Sequence, residues 1–438
     1  MTGAGNPLEQ HQRGNKSIVS DNGKQQQPRT GPEHIRSEPS GQQPPQKPAP
    51  TEPTKEQPKE QPKEQAKPAE SRAYGVLEVG EKGFGFLRNP AKSFQISPND
   101  IYVSPDVIRK YRLRAGLEIE GRAVPPRKGS PQLAEIFTIN GQPPEKYASL
   151  KKFDDLTSIN PNERFVLETV PDRYTTRVLD IVAPVGKGTR GLIVAAPRTG
   201  KTTLLHHIAD AILTNHPDVH VMVLLVDERP EETTDFRRSV KGAEVIASTN
   251  DQTIEDHVRT ARSAIERAKR LVEFGKDVFI VLDSITRLAR AFNNYIGSTG
   301  RTMTGGLDAR AMEQPRRIFA SARKAEEGGS LTIIATALVE TGSRMDELIF
   351  QEFKGTGNSE LVLDRKLAEQ RYWPAVDINM SGTRREELLL APKDLEAITR
   401  LRRALSGAEP VESIQKLLTG LAKFKTNKEF LTQIAKAS

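Results

Sequence analysis

The chain has 438 residues, 36% of them hydrophobic and 28% charged, with a net charge of +8 at pH 7 and no cysteine. That length supports two or three cored domains, and the basic balance favours a polyanionic partner. The lack of cysteine excludes a disulfide framework, a thiolate metal site and a cysteine nucleophile, and no apolar run approaches the roughly 18 residues of a membrane span.

Residues 1–70 are rich in Pro, Gln, Lys and Glu, contain no Phe, Trp or Tyr, and hold the repeat KEQPKEQPKEQ. Their only Leu, Ile or Val residues are Leu8, Ile18, Val19 and Ile35. Such a segment cannot bury enough surface to offset chain entropy, so a disordered tail is expected. It has no apolar core of a signal peptide, and the chain reads as cytoplasmic with no membrane partner.

From Tyr74 the composition changes. The runs GVLEV, GFGFLR, DIYVSP, LEIEGRAV and LAEIFTI are short, β-like and separated by Gly and Pro clusters, which predicts a small all-β barrel over 71–145. In GFGFLR, Phe84 and Phe86 stand at strand spacing and face one side, with Arg88 one step further. Rings on one face of a small barrel stack unpaired bases; the same pattern also fits two core rings. Tyr102 in DIYVSP is open to both readings. Residues 146–180 read as a polar connector.

Over 181–438 the rhythm is strand, helix, strand. LIVA, VMVLLV, VFIVLD and LTIIATALV are apolar and rich in β-branched residues, as buried parallel strands are. The clearest helix is predicted over 253–274, with Thr253 and Asp256 forming a capping box and Gly275 ending it. This alternation predicts an open α/β sheet, followed by a helical C-terminal segment.

The strand LIVA runs directly into APRTGKTT and an apolar-periodic helix. Backbone amides of Ala196, Pro197's neighbours, Arg198, Thr199, Gly200 and Thr203 would surround phosphates at the helix start. Lys201 would reach the β and γ phosphates, and Thr202 would place its hydroxyl on Mg²⁺. Ala195 stands where this P-loop pattern usually has its first glycine. ATP hydrolysis needs more. Asp283, closing VFIVLD, fits the metal-side carboxylate. Glu228 in VDERPEE is the best candidate to orient water, with Asp227, Glu231 and Glu232 as alternatives. Spacing does not select the arginine that transition-state charge requires.

These residues together resemble the bacterial transcription termination factor Rho family. The match covers 74–438 and includes GFGFLR, RGLIVAAPRTGKTTLL, VLDSITRLARA, LTIIATALVETGSRMDE, QEFKGTGN and SGTRREELL. The resemblance implies an OB-fold RNA-binding barrel joined to a RecA-like ATPase domain. It implies an RNA-dependent ATPase and 5′-to-3′ RNA–DNA helicase that ends transcription as a homohexamer, with the RNA polymerase elongation complex and its elongation factors as partners. Arg384 matches the arginine finger that reaches a neighbouring subunit, Arg371 a second phosphate-sensing arginine, and Trp373 an aromatic against the adenine. Glu228 matches the catalytic glutamate. Phe84, Phe86, Arg88 and Tyr102 match a primary site for pyrimidine-rich single-stranded RNA. Arg301, Thr304, Gly305 and Gly306 match one pore loop, and Thr341, Gly342 and Arg344 the other. Two departures stand out: Gln132 lies near the place of a base-contacting tyrosine, and the tail occupies the place of the family's small helical N-terminal subdomain. The rival readings are an ATPase of the same fold with a different output and a non-motor RNA-binding protein with a regulatory nucleotide site.

Overall fold

The structure, a computed structural model, describes residues 71–125, 129–297, 302–303 and 306–436. The expected disordered tail over 1–70 lies outside the described residues.

Five strands close a barrel: β1 (Ser71–Val79), β2 (Gly85–Arg88), β3 (Ile101–Val103), β4 (Glu118–Val124) and β5 (Gln132–Ile139), in the order β1-β2-β3-β5-β4. Alternate residues turn inward, and Ala73, Leu77, Leu87, Val103, Ile119, Leu133 and Ile139 form its core. Gly85 makes the β1–β2 contact possible. A Cβ there would lie 2.5 Å from the Glu78 carbonyl oxygen and 2.7 Å from Leu77 Cδ1.

The second layer system is a sheet built on β6 (Arg190–Ala195), β7 (His220–Glu228), β8 (Glu244–Thr249), β9 (Val278–Asp283), β10 (Ser330–Leu338), β11 (Ser359–Leu363) and β12 (Val376–Thr383). Its order is β8-β7-β9-β10-β6-β11-β12, parallel throughout except for the antiparallel β11–β12 pair. The apolar runs are continuous because both faces are covered. Ile193 and Ala195 enter one core, and Leu192 and Val194 enter the other. Strands and helices alternate as the sequence predicts, and three C-terminal helices, Pro392–Leu405, Pro410–Leu421 and Asn427–Lys436, pack on the first core.

The helix Ile254–Glu273 carries the expected capping box. Thr253 Oγ1 accepts from Asp256 N at 3.2 Å, and the Asp256 carboxylate accepts from Thr253 N at 3.3 Å. This helix also seats the barrel: Arg114 makes two bonds to Glu273, at 2.8 and 2.6 Å, and Arg267 pairs with Glu118 at 2.9 Å.

Residues 146–180 are more than the expected polar connector. Phe153 and Phe165 are fully buried, the Phe153 amide donates to Glu273 Oε1 at 2.7 Å, and the helix Tyr174–Val182 is buried along most of its length. Isolated aromatic anchors hold this stretch, and they leave no periodic pattern.

Candidate nucleotide and nucleic-acid sites

β6 ends at Ala195 and the chain turns sharply. Ala196 is buried, Pro197 and Arg198 are exposed, and Arg198 is left-handed at φ +68°. Thr199 Oγ1 donates back to the Ala196 carbonyl at 2.8 Å, which closes the turn. Gly200 has φ +81°, and a Cβ on it would stand 2.8 Å from the Trp373 ring. Two independent constraints therefore require glycine at this point. The helix Lys201–Asn215 starts next, and no side chain caps its N-terminus. Its first amides are left to meet an anion, and the helix dipole favours one there. Thr202 is half-buried and Thr203 exposed.

Three parallel strands bring the charged groups together. Asp283 ends β9 and is fully buried. Lys201 Nζ lies 2.6 Å from each of its carboxylate oxygens, and Thr336 Oγ1 donates to Oδ1 at 2.7 Å. Glu228 ends β7, the neighbour of β9, and is 1% exposed. Arg287 Nη2 donates to Glu228 Oε1 at 3.2 Å and Arg287 Nη1 donates to the Asp227 carbonyl, while Glu228 Oε2 has no hydrogen-bond partner among the described residues. Burial, then the nearby Asp283 charge, pushes the Glu228 carboxyl up to about 7. Of the four carboxylates in VDERPEE, only Glu228 is buried; Asp227 and Glu232 are half-buried and Glu231 is exposed, the last two on the next helix. The sequence reading missed Arg287 and Thr336. Their signals were present: a polar residue inside an apolar strand, and an arginine four places beyond the strand-ending Asp283.

Trp373 is 41% exposed and lies against the P-loop at Gly200, and Arg371 is exposed close by in sequence at φ +65°. Arg384 is elsewhere. It follows β12, whose Thr383 pairs with Ser359, which pairs with Gly191 at the start of β6. The P-loop leaves the other end of β6. Five residue steps separate Arg190 from Ala195, so the two ends are roughly 17 Å apart. Arg384 is therefore remote from Lys201 of its own chain.

On the barrel, the rings of Phe84, Phe86 and Tyr102 form a triangle with every centroid pair 5.8 Å apart. All three are half-exposed and none belongs to the barrel core. β2–β3 pairing sets Phe86 directly opposite Tyr102, and exposed Gln132 pairs with Tyr102 from β5. Arg88 is placed differently from an open phosphate contact. It is 7% exposed, pairs with Glu78 and Asp100, and its guanidinium lies 4.8 Å from the Phe86 centroid. Two carboxylates drew it inward, and in that position it supports a ring.

Of the pore-loop candidates, Arg301, Thr304 and Gly305 lie outside the described residues. Gly306 is exposed at φ +83°, and its carbonyl accepts from Asn293 Nδ2 at 3.1 Å. Thr341, Gly342 and Arg344 are exposed. Thr341 Oγ1 donates to Asp346 at 2.7 Å, and Arg344 begins the helix Arg344–Phe353. The two loops are neighbours, since a Cβ on Gly306 would meet Met345 Cε at 3.4 Å.

Comparison with known proteins places this geometry. Residues 73–145 match the model of the Rho termination factor RNA-binding domain. The chain is 54% identical over 362 residues to transcription termination factor Rho of Cereibacter sphaeroides, covering 81% of this chain and 85% of that one. The chain belongs to the transcription termination factor Rho family. The Rho of Aquifex aeolicus is 52% identical, with 82% and 83% covered. Residues 175–383 match the nucleotide-binding domain of the ATP synthase alpha/beta family. Among solved structures, a prototypical ATPase of a type III secretion system shares the fold at TM-score 0.53 and 23% identity, over 64% of this chain and 88% of that one. The family carries an RNA-binding domain and an ATPase domain on one chain, and both are present here as folded bodies. No helix among the described residues is long and apolar enough to cross a membrane.

Proposed function

We propose a division of labour for this RNA-dependent ATPase of transcription termination: the ring triangle takes single-stranded RNA, and a nucleotide bound at the P-loop is hydrolysed with help from a second copy of the chain. The observation that carries the proposal is the distance between Arg384 and Lys201 across one sheet. A site with phosphate lysine and carboxylates at one end, and its arginine at the other, is completed when copies meet head to tail. A closed ring of such copies, six in the family reading, would present the 300–308 and 341–347 loops to a central RNA strand. ATP turnover at successive interfaces would then shift those loops and draw the RNA through, releasing the transcript from the RNA polymerase elongation complex in the cytoplasm.

At the P-loop, the free amides of the 201–215 helix and the Lys201 ammonium bind phosphate oxygens. The Trp373 face offers stacking area to a purine. Glu228, ionised, accepts the proton of an attacking water, and Arg287 holds its carboxylate in place. Arg371 and the neighbour's Arg384 neutralise charge on the transferring phosphoryl group. The residues fit Mg²⁺. Two carboxylates, Glu228 and Asp283, are buried near each other, and Glu228 Oε2 has no hydrogen-bond partner among the described residues, which suits a divalent cation brought in with the nucleotide. Thr202 and Asp283 would hold it alongside phosphate oxygens, and it would screen phosphate charge.

On the barrel, the faces of Phe84, Phe86 and Tyr102 can stack any base, and the Tyr102 hydroxyl adds one hydrogen-bonding group. Their close spacing favours small pyrimidines, and Gln132 beside Tyr102 can hydrogen-bond a base edge. The test is Lys201→Ala. Hydrolysis should fall by roughly 10²–10³-fold while RNA binding to the barrel is unchanged. Intact RNA-dependent turnover in this variant would contradict the proposal.

A further inference from the structure

The end of the sheet that carries Arg384 holds two more arginines that no role above explains. Arg190 begins β6, and Arg323 precedes β10 in a short strand, Arg323–Ala325. With Arg384 they line one cleft of about 600 Å³, alongside Ser158, Asn160, Asn358 and a fourth arginine, Arg385, which is paired with Glu387 at 2.5 Å. No carboxylate among the described residues lines it. Among the described residues none of the three arginines has a carboxylate partner.

Each guanidinium is nevertheless held. Arg190 Nε donates to the Thr356 carbonyl at 2.6 Å, Arg384 Nη2 donates to the Gly355 carbonyl at 3.2 Å, and Arg323 lies 4.7 Å from the Phe153 centroid. The segment between is clamped on both sides. Asn358 Oδ1 accepts from Arg190 N at 2.8 Å, Asn358 N donates to the Arg190 carbonyl at 2.9 Å, and Asn358 O accepts from Arg384 N at 2.8 Å. Gly355 is left-handed at φ +78°, which turns its carbonyl toward the arginine. Residues 355–358 thus bracket two cations that repel each other. Burial, then Arg323 and Arg384, lowers the Arg190 proton affinity below the usual arginine range.

Like charges held together by carbonyls, with no anion of their own chain, form a receptor for a multiply charged anion from outside. We infer that Arg190 and Arg323 join Arg384 in a three-arginine cluster that binds the polyphosphate of the nucleotide held by a neighbouring copy, with residues 355–358 positioning it. This rests on the proposed action of Arg384 across subunits.

The test uses full-length chains, RNA-stimulated ATP hydrolysis and mixed rings. Arg323→Gln should lower kcat by roughly 10²-fold with affinity for a cytosine-rich RNA unchanged, and Arg323→Lys should recover part of the loss. Co-assembly of Arg323→Gln chains with Lys201→Ala chains should restore activity above either parent, because roughly a quarter of randomly formed head-to-tail interfaces join an intact Lys201 to an intact Arg323. Arg190→Gln should behave in the same way. The Arg384→Ala and Lys201→Ala mixture is the control. Recovery in the control but none with Arg323→Gln or Arg190→Gln overturns the cluster, since those residues then serve their own chain. No recovery in any mixture removes the cross-subunit reading of Arg384 and the inference with it. Loss of RNA affinity in Arg323→Gln would assign the cleft to nucleic-acid phosphate and also overturn it.

Discussion

The RNA face of the barrel and the ATP site solve different problems. The ring triangle is complete in one chain: adjacent strands β2 and β3 set Phe86 opposite Tyr102, and the GFGF turn brings Phe84 to the same 5.8 Å spacing. It is half-exposed, and its stacking faces come from one chain alone. The ATP site is divided. Its carboxylates are buried at the carboxyl ends of β7 and β9, with the half-buried Lys201 from the end of the P-loop against Asp283, while Arg384 lies at the far end of the same sheet. On the proposed reading a single copy binds RNA and turnover takes two, which would make hydrolysis depend on assembly around a strand.

The sharpest way to break this comparison is Arg384→Ala. Loss of an arginine that stabilises transition-state charge costs about 10³–10⁵-fold in kcat. Nucleotide affinity at the chain's own P-loop, measured with a fluorescent analogue, should be nearly unchanged, and so should binding of a short cytosine-rich RNA. A large loss of nucleotide affinity in isolated subunits would place Arg384 in its own chain's site.

Next in size is Phe86→Ala. Stacking of a base on an aromatic ring is worth about 1–3 kcal/mol, so affinity for a short cytosine-rich RNA should fall by that amount. The RNA concentration for half-maximal hydrolysis should rise, with kcat at saturation unchanged. A fall in kcat alone would tie the barrel to the chemistry and blur the separation of the two regions. Arg88→Gln should act through Phe86, by leaving Glu78 and Asp100 without their cation; its effect should be seen first in barrel stability.

The smallest effect is in pH. The Glu228 carboxyl is raised to about 7, mainly by burial and then by Asp283. Its folded value exceeds its unfolded one, so the folded chain binds the extra proton between the two. This group therefore favours folding at low pH, and that contribution is lost as pH rises through about 7. As a base it works only when ionised, so kcat should rise with pH through the same window. Glu228→Gln should flatten the pH dependence of stability and abolish most turnover. An unchanged stability profile would remove Glu228 as the titrating group.

Much of this was legible in the sequence, but unevenly. The P-loop was plain because strand, Gly200, Lys201 and Thr202 must be contiguous to wrap an anion. The capping box at Thr253 and Asp256 and the continuous apolar run of β6 were equally local. The surroundings of Arg88 left no trace in the sequence, because its carboxylates come from Glu78 on the neighbouring strand and from Asp100 in the loop before β3. The packing of 146–180 was missed because single buried rings such as Phe153 carry no period. The arginine cleft was invisible for the same reason as Arg88: Arg190, Arg323 and Arg384 are far apart in the chain and meet only through the sheet.

The most direct test of the central claim is ATP hydrolysis by the purified full-length chain without nucleic acid, with cytosine-rich RNA, with uracil-rich RNA and with single-stranded DNA. The account predicts low hydrolysis alone and with DNA, and strong activation by RNA, highest with the cytosine-rich strand. Equal activation by both RNAs would keep the coupling and remove the cytosine preference. Hydrolysis indifferent to all four conditions would contradict the account, because the barrel and the ATP site would then work independently.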